Sequence, residues 1–443
     1  MSVLSPEAIT VLMFGLLLFG IFLGYQIAFL LAGIGLFFGL GLFGISFLGS
    51  FTLNFLSVMK NYILLAIPLF VLMGSIMERS GAGERLFGSI YILSGRLPGG
   101  LAIATTLLAT IFAACTGVVG ASVVTMGVLS LPAMLKRGYD KRLASGLICA
   151  AGCLGVLIPP SIMIVIYGPV AGIPVGKLFM AAIGPGLCLS GVYILYILIR
   201  CLLDPHLGPP MSKEELRAIP RREKVRIVFS SLLPPIVIIL AVLGSIFFGV
   251  AAPTEAAATG AFAAGGLSIF YKRFNVSMLG EAAESTLKTT SMILTMTAGA
   301  VFFVSTFMSI GGGEVVERVI LGLPLGKWGI FFLMLLVVFI LGMFLDWVAI
   351  VLLVVPLYTP IAAKLGFDAI WFATMIILNL QLSYITPPFA LAAFYYRGIA
   401  PQEITMKDIY FSLLPFIALQ IAVFVLCTLW PAIILWLPSQ MGG

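Results

Sequence analysis

The stretch Cys153–Gly168, CLGVLIPPSIMIVIYG, places two prolines in the middle of an otherwise apolar run. Proline has no backbone N–H, and it pushes the residue before it out of helical geometry, so Pro159-Pro160 predicts an interrupted helix. The rest of the chain says where that interruption sits. Of 443 residues, 61% are hydrophobic and 9% charged, against roughly 45–50% and about 25% in soluble domains. Apolar runs such as Thr10 to Phe22, Tyr62 to Met77, Ile227 to Phe248 and Tyr410 to Ile434 approach the length that crosses a bilayer. The composition therefore reads as an all-α, polytopic membrane protein. The first run lacks a basic leader segment and reads as a span rather than a signal peptide.

The proline pair recurs. Pro132, Gly138-Tyr139-Asp140 and Pro159-Pro160 reappear as Pro360, Gly366-Phe367-Asp368 and Pro387-Pro388, every landmark shifted by 228 residues. The same shift carries the apolar run at 26–43 onto 254–271 and that at 180–206 onto 408–434. SGAGER at 80–85 falls close to GGGEVVER at 311–318. Such self-similarity predicts two structural repeats, 1–203 and 227–443, joined by a linker at 204–226.

Spans expected at 142–168, 176–203, 228–250, 254–271 and 282–310 separate the two Gly-aromatic-Asp loops. Five crossings put those loops on opposite sides, so the repeats are expected to be inverted. Alternating sides through these spans collects 18 Lys and Arg on one face and five on the other, with Lys288 inside a span. The positive excess marks the first face as cytoplasmic. The termini are then expected to be periplasmic and the linker cytoplasmic, with SKEEL at 212–216 as a candidate start for a short surface helix.

Freed backbone groups cannot face lipid, so broken helices are expected only where they are buried or line a cavity. The first is expected at 142–168, broken by Gly152, Gly155, Pro159 and Pro160, and the second at 369–396, where Pro387-Pro388 follow Asn379, Ser383 and Thr386. Upstream of each, an irregular apolar element predicts a re-entrant hairpin: near 99–135 with its tip at Gly117 to Ser122, and near 327–363 with its tip at Asp346. Carbonyl ends of half-helices, with Thr116, Ser122, Asn379, Ser383 or Thr386, suit a hard cation such as Na⁺, and amide ends suit an anion. Asp346 reads either as a functional acid inside the membrane or as the cap of the returning arm. Glu255, after Pro253, reads as a first-turn helix residue.

Enzymatic and metal chemistry find little support. The one histidine, His206, lies in the linker, and G-x-S-x-G and Walker A sequences are missing. Cys115, Cys149, Cys153, Cys188 and Cys427 lie in apolar segments as small hydrophobes.

TGVVGASVVTMGVLSLPAMLKRGYDKRLASGLICAAGCLGVLIPPSIMIVIYG, APTEAAATGA and NLQLSYITPPFALAAFYYRG resemble the large membrane subunit of TRAP (tripartite ATP-independent periplasmic) transporters, the DctM-like family. The resemblance implies a bacterial inner-membrane protein acting with a small four-span membrane subunit and a periplasmic substrate-binding protein. It implies Na⁺-coupled uptake of an organic acid by elevator movement, with sodium ions as coupling ions, no other cofactor and no nucleic-acid partner. Carried over by motif, one sodium site would use Thr116, Gly117, Gly120, Ser122, Gly152, Gly155 and Pro159. The other would use Gly342, Asp346, Asn379, Ser383, Thr386 and Pro387. Substrate would meet Val118, Val119, Ser122, Pro160, Ser161 and Pro388. Val118 and Val119 stand where many members have serines, which leaves coordination there to backbone carbonyls or makes the pocket more apolar. A stand-alone ion-coupled carboxylate transporter of similar architecture is the alternative.

Overall fold

Asp140 and Asp368 show how the sequence starts its helices. Each follows a left-handed glycine by two residues (Gly138, φ 74°; Gly366, φ 70°), and each accepts a hydrogen bond from the backbone N–H three residues on, Leu143 or Trp371. The computed structural model describes residues 5–116, 119–211, 214 and 220–441, without the side chains of residues 113–116, 221 and 223. Among them there is no β-strand.

In chain order the helices are α1 (Pro6–Phe22), α2 (Ile27–Phe43), α3 (Phe47–Met59), a 3₁₀ turn (Tyr62–Leu65), α4 (Ala66–Arg79), α5 (Ala82–Ser94), α6 (Gly100–Thr116), α7 (Val119–Lys136) and α8 (Lys141–Gly152). After these come α9 (Leu154–Leu157), α10 (Ile162–Ala171), α11 (Val175–Leu203), α12 (Arg221–Ser231), α13 (Leu233–Phe247), α14 (Pro253–Phe270) and α15 (Val276–Ser309). The chain ends with α16 (Gly312–Leu321), α17 (Lys327–Phe344), α18 (Trp347–Lys364), α19 (Ala369–Ile385), α20 (Leu391–Arg397), α21 (Met406–Leu429) and α22 (Ala432–Ser439). Among the described residues, eight helices are long and apolar enough to cross a membrane, or nine if the pair Lys141–Leu157 and Ile162–Ala171, bent by 41°, counts as one span. Large apolar side chains such as Phe262 (86% exposed) point outward, as expected of a surface meant for lipid.

Two kinds of packing organise the chain. In the first, α2 crosses α15 and α4 crosses α14. Glycines set the closeness of the α2–α15 crossing. A Cβ on Gly35 would stand 2.7 Å from the Phe302 carbonyl carbon, and one on Gly299 would strike the backbone of Ala28. Small residues let membrane helices approach backbone to backbone in this way, gaining the close contacts that drive association in lipid. Thr306 Oγ1 adds a bond to the Gly35 carbonyl across the same crossing (2.9 Å).

In the second kind, α6 and α7 fold back on one another as a hairpin, as do α17 and α18. Each hairpin packs on the helix that follows it: α6 and α7 on α8, α17 and α18 on α19. The short helix after each proline pair then crosses to the other half of the chain, α10 onto α18 and α20 onto α7 and α8. Bonds between Ser145 and Tyr396 hydroxyls (2.9 Å) and from Gln420 Nε2 to Tyr193 Oη (2.9 Å) tie the halves together where water is excluded. Outside that core, the ion pairs Lys141–Glu403 (2.9 Å) and Arg142–Asp408 (3.4 Å) do the same.

Glu255 accepts a bond from the Ala252 N–H at the start of α14 (2.9 Å), the first-turn role expected of it. His206 is exposed and its backbone N–H donates to Asp204 Oδ1 (3.1 Å). The expected surface helix at 212–216 lies outside the described residues except for Glu214.

Candidate functional site

The first junction forms where α8 and α9 run on as one rod to Leu157 before the backbone turns extended at Ile158 (φ −75°, ψ 123°) and Ser161 (φ −117°, ψ 131°). The prolines dictate this, since neither can donate and each unwinds its predecessor. The Ser161 hydroxyl donates to the Val156 carbonyl (2.6 Å), satisfying an acceptor that the ended helix leaves over. Every residue from Cys153 to Gly168 is buried.

This placement corrects two expectations. α8 ends at Gly152, and Gly155 sits in the one-turn α9, but the 41° bend comes only after Leu157, at the prolines. Gly152 is also where α8 meets α7: a Cβ there would stand 2.9 Å from the Val123 Cα. Gly120 and Ser122 are not in a loop at the hairpin tip, because α7 has already begun at Val119. A Cβ on Gly120 would stand 3.0 Å from Tyr395 Cε1, so this glycine seats a ring from α20. Val119 and Ser122 are buried. Gly117 and Val118 lie outside the described residues, as does the side chain of Thr116.

At the second junction α19 ends at Ile385, Thr386 is extended (φ −94°, ψ 125°), and Ala390 is left-handed (φ 48°) before α20 begins. Both proline pairs, Pro159-Pro160 and Pro387-Pro388, are joined by cis peptide bonds. Hydroxyls again turn back to helix carbonyls: Ser383 Oγ donates to Leu380 O (2.6 Å), and Thr386 Oγ1 donates to Leu382 O (2.7 Å) in the last turn. Asn379 Nδ2 reaches across to the Leu335 carbonyl of α17 (2.7 Å). Gly342 of α17 faces Ser383 so closely that a Cβ would strike the serine side chain. Asp346 stands at the N-cap position of α18, half-buried, between the arms of the hairpin. Pro387 is half-buried and Pro388 exposed, with its carbonyl accepting from Tyr410 Oη (3.0 Å).

Two tyrosines that the sequence did not single out lie near the junctions. Tyr384 is buried in α19, the helix that packs on α9 of the first junction. Tyr395 lies on Gly120 of the first hairpin. Gln381 was also passed over. It is fully buried, and neither end of its amide has a hydrogen-bond partner among the described residues, a costly state inside a protein. A faint sequence signal existed in the alternation Asn379, Gln381, Ser383 within an apolar run. Among the described residues no group of three or more His, Cys, Asp or Glu is placed to hold a metal ion. What the two junctions offer is oxygen ligands and helix ends.

Comparison with known proteins gives this arrangement a lineage. The family described as "Tripartite ATP-independent periplasmic transporter, DctM component" matches residues 10–433. The chain belongs to that family. It is 31% identical over 398 residues to the C4-dicarboxylate TRAP transporter large permease protein DctM of Pseudomonas aeruginosa, covering 89% of this chain and 90% of that protein. It is 30% identical over 422 residues to the isethionate TRAP transporter permease protein DctMQ of Oleidesulfovibrio alaskensis, covering 93% of this chain and 65% of that one. The fold is similar to that of the Alcanivorax borkumensis YdaH transporter, with a TM-score of 0.66 at 15% identity, over 96% of this chain and 98% of that one. This member of the DctM family is thus a multi-span membrane transport protein and not an enzyme.

Proposed function

We propose that this chain is the large transport subunit of a Na⁺-coupled importer of organic acids, with coupling ions and cargo held where the two helix junctions meet. The observation that carries the reading is the shared border: α19 of the second junction packs on α9 of the first, and the Tyr395 ring lies on Gly120 of the first hairpin. Half-helix ends at such a border present carbonyls to cations and amides to carboxylates. Asp346 supplies the one formal negative charge to the second site.

The repeat reading, inverted halves at 1–203 and 227–443, draws support from reciprocal packing. The pair α2–α15 is matched by α14–α4 at the 228-residue offset, and α10–α18 by α20–α7. In this reading the crossings among α2, α4, α14 and α15 form the static frame, and the hairpins with their broken helices move against it as an elevator. The basic excess places the linker at 204–226 in the cytoplasm and the termini in the periplasm of a bacterial inner membrane. A small four-helix membrane subunit and a periplasmic binding protein complete the transporter. Relatives named for C4-dicarboxylate and for isethionate support a small organic acid as the cargo.

Reconstituted uptake tests this. The complete chain, its small subunit and its binding protein are placed in proteoliposomes with a C4-dicarboxylate as first probe. Uptake should follow an inward Na⁺ gradient and stop when choline replaces sodium. Equal rates in the two salts would overturn the sodium reading. Uptake without the binding protein would favour a stand-alone transporter.

A further inference from the structure

We infer that the crevice between α4, α7 and α15 is a further monovalent-cation site, apart from both helix junctions, built from Glu78, Ser75, Ser285 and Thr289. Two cavities, of about 280 and 70 Å³, share Glu78 as a wall. The smaller is lined by Ser75, Glu78, Ala121, Ser285 and Thr289. Serine and threonine in membrane helices usually turn their hydroxyls back to a carbonyl of the preceding turn. Thr286, Thr295 and Thr297 of α15 do so, at 2.7, 2.7 and 2.8 Å. Ser285 and Thr289 do not, and neither hydroxyl has a hydrogen-bond partner among the described residues. Ser75 is only 8% exposed, lines the same cavity, and its hydroxyl is likewise without a partner.

Three idle hydroxyls thus converge with one carboxylate. Thr125 Oγ1 donates to Glu78 Oε1 (2.6 Å), which orients the carboxylate and leaves Oε2 without a bond among the described residues. The adjacent Arg79 is otherwise engaged, its Nε beside Glu281 (3.6 Å) and its Nη1 on the Ser75 carbonyl (3.4 Å). An all-oxygen set selects a hard cation, and a single carboxylate is too little charge for the multi-carboxylate cage that calcium takes. The cavity holds one small ion with a water or two, at about 30 Å³ per water.

The site abuts Ala121 in the first turn of α7, so it lies between the proposed frame and the first hairpin. A cation entering or leaving that hairpin would pass it. This role rests on the sodium-coupled reading above, and the site would serve as a staging point for the coupling ion.

The test is a Na⁺ titration of the purified complete chain against choline, read as the rise in thermal unfolding midpoint. Glu78→Gln keeps the Thr125 bond and loses the charge. It should shift the half-saturating Na⁺ concentration of one component about tenfold upward, the scale of one near-surface charge, with the midpoint in choline unchanged. Ser285→Ala should give a smaller shift in the same direction, and Thr295→Val, whose hydroxyl is bonded to the Ser291 carbonyl outside the crevice, should titrate like the unaltered chain. If Glu78→Gln and Ser285→Ala titrate normally while Asp346→Asn does not, this site is refuted and the sodium reading stands. If the unaltered chain shows no response to Na⁺, both fall.

Discussion

The two helix junctions share a backbone plan and differ in their lining. At the first, every residue from Cys153 to Gly168 is buried, and the oxygen at the break is the Ser161 hydroxyl, spent on the Val156 carbonyl. At the second, Ser383 and Thr386 stand at a break whose last proline is exposed, with Asn379 one turn earlier on the Ser383 face of α19 and Asp346 at the N-cap of α18. Where the second hairpin carries Asp346, the sequence 228 residues earlier has Val118. In the proposed repeat reading, one backbone plan occurs twice and the side chains divide the labour. In the proposed mechanism the second junction holds its ion by charge, and the first has only backbone and hydroxyl oxygens to offer.

The largest expected effect follows from that division. Asp346→Asn removes the charge and keeps the shape, and should lower sodium-driven uptake at least about tenfold, one unit charge at a partly buried site. Transport rate against Na⁺ concentration measures it, and an unchanged curve would erase the contrast between the junctions.

The next effects are steric. Gly152→Ala and Gly342→Ala both force a methyl into a close helix contact, against the Val123 backbone and the Ser383 side chain respectively. Each should destabilise by about 1–3 kcal/mol, the usual cost of overpacking. Backbone cannot yield as a side chain can, so Gly152→Ala should lower the thermal midpoint more. The reverse order would mean that the first junction is the looser one.

Single hydrogen bonds come third. Ser161→Ala leaves the buried Val156 carbonyl unpaired and should cost about 1–3 kcal/mol, whereas Thr386→Val at the half-buried break should cost about 1 kcal/mol. Thermal unfolding of the two variants side by side checks the difference.

The smallest effect concerns the ion pair between halves. Lys141 beside Glu403 holds that carboxyl below the usual carboxylate range. Its contribution is therefore present above the unfolded pKa and lost as pH falls through the folded one. Both partners are exposed, so Glu403→Gln should hardly move the midpoint at neutral pH and should slightly flatten its fall in acid.

Much of this was legible in the sequence, for reasons that differ by residue. Proline acts on its own backbone and its neighbour's, so the positions of both breaks could be read from Pro159-Pro160 and Pro387-Pro388 alone. Asp140 and Asp368 act three residues away and were equally local. Glycine is ambiguous in a way proline is not. Gly152 and Gly155 read as the site of the break, yet the bend falls after Leu157, and Gly152 also serves a contact with Val123 that no local pattern announces. Gln381, Tyr384, Ser75 and Glu78 were missed for the same reason. Their significance lies in which partners they lack or meet across the fold, and an isolated polar residue in an apolar run carries no mark of that.

The most direct measurement is anomalous diffraction from crystals of the complete chain in which a heavy monovalent cation replaces Na⁺. The account predicts a peak between Asp346 and the end of α19 at Ser383–Thr386, displaced by added Na⁺ and lost in Asp346→Asn. Bound cation found only away from both proline breaks, or a peak at Asp346 indifferent to sodium, would contradict it.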